Sequence, residues 1–170
     1  MSDIHPPEVA SFLLPGDLMI GDRPAHVKTI VGSCLAIMIR FPRLGLAAIA
    51  HCLLPEAPAP VASLPRGEAL RYVDTAIEIM IRELAEQGAS FEDLEVKLFG
   101  GADSLDLSGY EVGYRNMEVA QTILKRYGLR VVASSLGGRR GRALEFDTGT
   151  GDVLVRKLPA RSAARSKERL

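Results

Sequence analysis

The stretch from Thr29 to Pro55 constrains the fold of this chain more than any other. Two apolar runs rich in β-branched and small residues, Ile30 to Ile39 and Leu46 to Leu54, flank a break at Phe41-Pro42-Arg43-Leu44. Such runs around a proline-containing break predict a β-hairpin with a four-residue loop. A loop centred between Pro42 and Arg43 makes Cys34 face His51, with Cβ atoms about 5 Å apart on one side of the pair. The expectation hangs on register, because a one-residue slip carries a side chain to the opposite face.

A thiol and an imidazole at that separation form a chemical pair. The imidazole takes the thiol proton, leaving a thiolate nucleophile and an imidazolium that later serves as general acid in acyl transfer. Gly32 and Ser33, just ahead of Cys34, suit a tight backbone approach, and amide N–H groups of Ser33 and Cys34 are candidates to hold a developing oxyanion. A second reading stands beside this one on spacing alone: buried cysteine commonly behaves as a small hydrophobe, and the pair is then only packing.

The totals exclude several classes. A chain of 170 residues, 47% hydrophobic and 25% charged, has the size of one globular domain with an adequate core. Its 21 basic and 21 acidic residues cancel, which leaves no electrostatic case for general nucleic-acid binding. Cys34 and Cys52 are not in a C-x-x-C pattern, so neither a disulfide framework nor a structural zinc site is expected. The N-terminal segment lacks a basic stretch followed by a long apolar core, and no run approaches about 18 apolar residues, so a protein neither exported nor membrane-inserted is expected.

The remainder alternates strand and helix signals. Residues 1–8, with His5, read as a loose arm. Val9 to Leu18 supports a short strand broken at Pro15-Gly16, and Gly21 to Pro24 a turn. His26, on the strand leading to Cys34, is a distant rival to His51 as base. Cys52 points to the face opposite His51 and belongs to the core. Glu56 to Pro65 is proline-rich and reads as a semi-extended surface loop, either a rim over the thiol or a plain connector. Leu70, Val73, Ile77, Met80 and Leu84 form the stripe of a core-facing helix over Arg66 to Gln87, stopped by Gly88. Leu94 to Phe99 reads as a buried strand whose Gly100-Gly101-Ala102 end either borders the site or merely bends. Asp103 to Tyr110 is loop. Met117, Ala120, Ile123, Leu124 and Tyr127 mark a second amphipathic helix closed by Gly128. Leu129 to Ala133, Ala143 to Phe146 and Val153 to Leu158 read as strands, the last two a hairpin around Thr148 to Asp152. Gly137 to Arg142, GGRRGR, is locally basic but lacks the following helix that a phosphate loop needs. The polar, basic residues 159–170 read as a disordered tail. The expected fold is α/β (α+β), a single layered domain over residues 9–158, with a mixed β-sheet and two main amphipathic helices.

Gly32-Ser33-Cys34, His51 in an H-x-L-L-P segment, Lys97 to Ala102, Arg115-Asn116, Gly137 to Arg142 and Thr150 to Lys157 occur in an order that resembles the CheD family of chemoreceptor glutamine deamidases. The resemblance covers roughly Val9 to Leu158. It implies a cytoplasmic enzyme that hydrolyses the side-chain amide of particular receptor glutamines to glutamate and ammonia, with Cys34 as nucleophile, His51 as its histidine and no metal or organic cofactor. It offers Thr29, five residues ahead of Cys34, as the third catalytic member, matching the family's threonine or standing one place from it; the plain reading of Thr29 is a strand position. Implied partners are the cytoplasmic helices of methyl-accepting chemoreceptors and a CheC-type phosphatase. Two other classes remain open: a different cysteine amidase or peptidase, and a non-enzymatic adaptor that binds receptors or CheC. One departure stands at Ser134-Ser135-Leu136-Gly137-Gly138, where relatives often carry an acidic residue before the glycines.

Overall fold

A computed structural model describes residues 11–103 and 111–159. Two mixed sheets and three helices form three layers. One sheet has the order β1-β3-β8-β9, from β1 (Ser11–Phe12), β3 (His26–Val31), β8 (Arg142–Asp147) and β9 (Val153–Lys157). The other has the order β2-β5-β4-β6-β7, from β2 (Leu18–Gly21), β5 (Leu46–Cys52), β4 (Leu35–Phe41), β6 (Glu95–Gly100) and β7 (Arg130–Leu136). The β1–β3 and β6–β7 pairs are parallel and the remaining pairs antiparallel.

Burial explains the contrast between strands. In β3 the side chains alternate, with Val27, Thr29 and Val31 turned inward and His26, Lys28 and Ile30 outward, as expected for a sheet with one wet face. Strands β4 and β5 lie between two layers and are buried on both faces, hence their unbroken apolar runs. Toward the four-stranded sheet, Ala36, Met38, Ala47, Ile49 and Phe99 meet Val27, Val31, Leu144 and Phe146. Phe99 and Phe146 meet edge to face with ring centres 5.7 Å apart. Toward the helices, Leu35, Ile37, Ala50 and Cys52 meet Val73, Ile77, Met80, Leu84, Ala120 and Leu124. The expected helix over Arg66 to Gln87 is two, α1 (Arg66–Ala69) and α2 (Val73–Glu86). It breaks because the chain leaving β5 takes the intervening hydrogen bonds: Leu53 and Leu54 N–H donate to Arg71 O, and Val73 N–H donates to Leu54 O. Helix α3 (Val112–Arg126) begins five residues ahead of Met117, its first turn held by the Asp103 carboxylate, which accepts from Gly113 and Tyr114 N–H.

Two strand expectations are corrected. The run Ile30 to Ile39 is not one strand: it bends at Gly32–Cys34 and crosses from the four-stranded to the five-stranded sheet. The hairpin loop is Pro42 to Gly45, one residue later than expected, with Phe41 paired to Leu46. Proline, lacking an N–H, starts a short 3-10 turn, and Gly45 closes it at φ 65°, a left-handed value suited to glycine. The shift moves each cross-strand partner by two, so His51 faces Ala36 rather than Cys34. An even shift preserves the face, and Cys34 packs against the same inter-sheet cluster as Ala36 and Met38.

The proline-rich Glu56 to Pro65 segment lies along α2, with Val61 and Leu64 against the core and Ala57 N–H donating to the Asp74 carboxylate. Among the described residues no helix is long and apolar enough to cross a membrane. The expected arm over residues 1–8, most of the Asp103 to Tyr110 loop and the tail beyond Pro159 lie outside the described residues.

Candidate active site

Cys34 sits on the bend where the chain passes between sheets, and every carbonyl of that bend is held. Ala102 N–H donates to Gly32 O at 2.9 Å, Asn116 Nδ2 to Ser33 O at 2.9 Å, and Gly101 N–H to Cys34 O at 3.0 Å. The Gly100-Gly101-Ala102 strand end therefore borders the site, and glycine is needed there for space: a Cβ on Gly100, whose φ is 111°, would overlap the Cys34 carbonyl. Ser33 is exposed and Cys34 half-buried. Among the described residues, the Ser33 and Cys34 amides meet no other residue's acceptor.

His51 projects from β5 into the inter-sheet layer, where it is 2% exposed and Thr29 1%. The Thr29 hydroxyl donates to Leu13 O at 2.7 Å and lies 2.9 Å from His51 Nδ1. A carbonyl can only accept and a hydroxyl has one proton, so Nδ1 carries the hydrogen that Thr29 accepts. The lone pair is thereby placed on Nε2, the buried nitrogen that has no hydrogen-bond partner. The His51 backbone is pinned as well, its N–H donating to Asp17 O and its carbonyl accepting from Gly16 N–H. The Pro15-Gly16 break thus forms the corner that wraps the histidine. Cys34 is the diagonal neighbour of His51 across the hairpin, a separation of roughly 7–8 Å or somewhat less between Cβ atoms. The structure brings Thr29 and His51 into contact and leaves Nε2 without a hydrogen-bond partner, the Cys34 thiol included. His26 lies on the outward side of β3, apart from this layer.

Burial sets the protonation states. It pushes the Cys34 thiol upward, opposed by the residue's own amide. It also pushes the His51 imidazole downward, opposed by the Leu13 carbonyl and the Asp17 charge. Both directions favour a neutral thiol beside a neutral imidazole over a standing ion pair. Cys52, fully buried on the helix side, is pushed far upward by burial, with Cys34 and Asp74 acting the same way, and is core as expected.

Sequence reasoning assigned no role to Asn116 or Arg142. Asn116 is completely buried on α3, and its Nδ2 bonds both Ser33 O and Leu53 O at 2.9 and 3.1 Å. The available signal was a polar residue on the apolar stripe, one helical turn before Ala120. Arg142 is 2% exposed and donates to Ser135 Oγ and to the Gly100, Gly137 and Arg140 carbonyls. Arg142, at the end of the basic GGRRGR stretch, is therefore a strut between glycine loops, and Ser135 accepts from its guanidinium. Among the described residues no group of three or more His, Cys, Asp or Glu is placed to hold a metal ion. An open cleft of about 430 Å³ between α2 and α3, lined by Glu56, Asp74, Glu78, Arg115 and Glu118 among others, lies on the helical side of the molecule.

Comparison with known proteins places the whole chain. Residues 53–157 match the family model described as CheD chemotactic sensory transduction. The chain is 38% identical to the probable chemoreceptor glutamine deamidase CheD 2 of Geobacter sulfurreducens, over 93% of this chain and 96% of that one. That span includes Cys34 and His51, which precede the segment matched by the family model. It is 34% identical to the chemoreceptor glutamine deamidase CheD of Thermotoga maritima, over 84% of this chain and 88% of that one. A probable CheD of the same description from Maridesulfovibrio salexigens is 38% identical, over 86% and 91%. With relatives that match over most of their own length and a family model over most of this chain, the protein belongs to the CheD family.

Proposed function

We propose that this protein is a cytoplasmic chemoreceptor glutamine deamidase that works through a thioester on Cys34. The observation that carries the reading is the buried Thr29–His51 pair, which leaves an unshared Nε2 lone pair in the inter-sheet layer against which Cys34 also packs. The names of the relatives supply the substrate class.

In this reading Cys34 Sγ attacks the carboxamide carbon of a receptor glutamine while its proton passes to His51 Nε2. Because burial favours the neutral pair, proton transfer and attack proceed together rather than from a stored thiolate. The Ser33 and Cys34 amides hold the oxyanion. The C–N bond breaks as Nε2–H protonates the departing nitrogen, releasing ammonia and leaving the thioester. Water then attacks the thioester carbon and gives a proton to Nε2, the C–S bond breaks, and the proton returns to Cys34. The product is glutamate, a new negative charge on the receptor helix. Glutamyl methyl esters are accessible to the same chemistry as a secondary activity. The partners are the cytoplasmic helices of methyl-accepting chemoreceptors, with a CheC-type phosphatase as a further one.

The test is intact-mass and peptide-map spectrometry of a receptor cytoplasmic fragment incubated with wild type and with Cys34→Ala. The expected result is conversion of specific glutamines to glutamate by wild type only. Conversion that survives Cys34→Ala rules out the nucleophile, and no conversion with a receptor from the same organism shifts the reading to an adaptor or another amidase.

A further inference from the structure

We infer that Asn116 is a positioning residue, the side-chain clamp that aims the Ser33 and Cys34 amides at the reacting carbonyl. The inference rests on the reading of Cys34 as an acyl-transfer nucleophile and goes beyond it by naming what shapes the oxyanion site. In a trans peptide the C=O and the following N–H point in opposite directions. Fixing Gly32 O on Ala102 N–H therefore turns the Ser33 amide away from the Gly100 to Ala102 strand end. Fixing Ser33 O on Asn116 Nδ2 likewise turns the Cys34 amide away from α3. Two successive N–H groups without a partner from another residue are left, on a bend where Ser33 meets solvent, and such a pair makes an anion-binding concavity.

Of the three donors that hold the bend, Asn116 alone is a side chain. It also reaches Leu53 O, two residues after His51, so one amide group joins both arms of the dyad. Its Oδ1 is buried and unpaired. A leucine has the same heavy-atom branching at this place on the α3 stripe and no Oδ1 to leave unpaired, yet cannot hold the Ser33 or Leu53 carbonyl. Close approach of α3 is built in at Gly113, where a Cβ would fall 2.6 Å from Gly101 O.

Two probes on the full chain separate aiming from folding. Acylation by p-nitrophenyl acetate forms an Sγ–C bond and expels nitrophenolate through a tetrahedral oxyanion. Alkylation by iodoacetamide displaces iodide with no oxyanion. Asn116→Leu is expected to slow Cys34-dependent acylation about 10²-fold, while the alkylation rate and its pH midpoint stay within about twofold of wild type. Equal losses in both, or acylation within twofold of wild type, overturn the inference. Should Asn116→Leu not fold, the wild type answers by NMR: the thiohemiacetal of Cys34 with acetaldehyde shifts the Ser33 and Cys34 amide protons together with the Asn116 side-chain amide, and no shift at these groups overturns the inference. Neither probe is a receptor. A wild type that deamidates no receptor but shows the split loses the proposed reaction and keeps the Asn116 role; receptor deamidation without the split does the reverse.

Discussion

The Thr29 hydroxyl and His51 Nδ1, carried by strands of two different sheets, lie 2.9 Å apart in a contact closed to solvent. Thr29 spends its one proton on Leu13 O and so works as an acceptor toward the imidazole. It orients the ring and selects the tautomer without acting as a base. Thr29→Val keeps the shape but removes both bonds, stranding a buried N–H and a carbonyl. The expected result is a stability loss of ~1–3 kcal/mol and a fall in kcat of about 10- to 100-fold, whereas Thr29→Ser retains most of both. Urea unfolding and deamidation kinetics on one receptor fragment check this, and unchanged kinetics in Thr29→Val would remove Thr29 from the site.

The protonation states predict a broad pH plateau. With His51 pushed down, the acid limb of kcat/KM falls below the ordinary imidazole value of about 6.5. With Cys34 pushed up, the alkaline limb falls above the ordinary thiol value of about 8.5. A standing thiolate–imidazolium pair predicts the opposite, a thiol that titrates well below that value. Stability follows His51 in the same sense: only the unfolded chain takes up the proton readily, so this contribution is full above about pH 6.5 and is lost as pH falls toward the lower folded value. Iodoacetamide alkylation rates across pH distinguish the two schemes.

Gly100→Ala places a methyl group on the Cys34 carbonyl at a φ of 111°. The expected outcome is a destabilised protein whose remaining folded fraction has lost most of its activity, because the bend must move off Gly101 and Ala102. Gly138→Ala, also at positive φ but with open space around its Cβ, loses some stability and keeps activity. Thermal unfolding and specific activity of the two variants provide the comparison.

Cys52, fully buried with its thiol pushed upward, is expected to be unreactive in the native state. One thiol per chain, Cys34, is expected to react with iodoacetamide under native conditions and two in denaturant, as counted by intact mass. Cys52→Ser buries a hydroxyl in the helix-side core and is expected to cost ~1–3 kcal/mol with kcat unchanged.

Much of this architecture was legible in the residues. The stripes of α2 and α3, the apolar run of β6 and the glycine-ended strand beside the site follow from local period and local backbone freedom, which a sequence states directly. The hairpin of β4 and β5 was legible as well, but its register was not. Pro42 and Gly45 together build a turn one residue later than the apolar runs suggest. The division of Ile30 to Ile39 between two sheets was also hidden, because a run buried from both sides looks continuous whether or not it bends.

The sequence by itself singled out the candidate pair, Cys34 with His51, its placement beside a glycine-serine bend, and the alternation of strands and helices around it. Only the tertiary structure decided how that pair is oriented. Thr29 meets His51 across 22 positions and Asn116 meets Ser33 across 83, and in both cases the partners sit on different layers. Periodicity states which face of an element is apolar; it carries no information about which buried polar group on one layer will satisfy which on another. That pairing is settled when the layers close and each buried donor must find an acceptor.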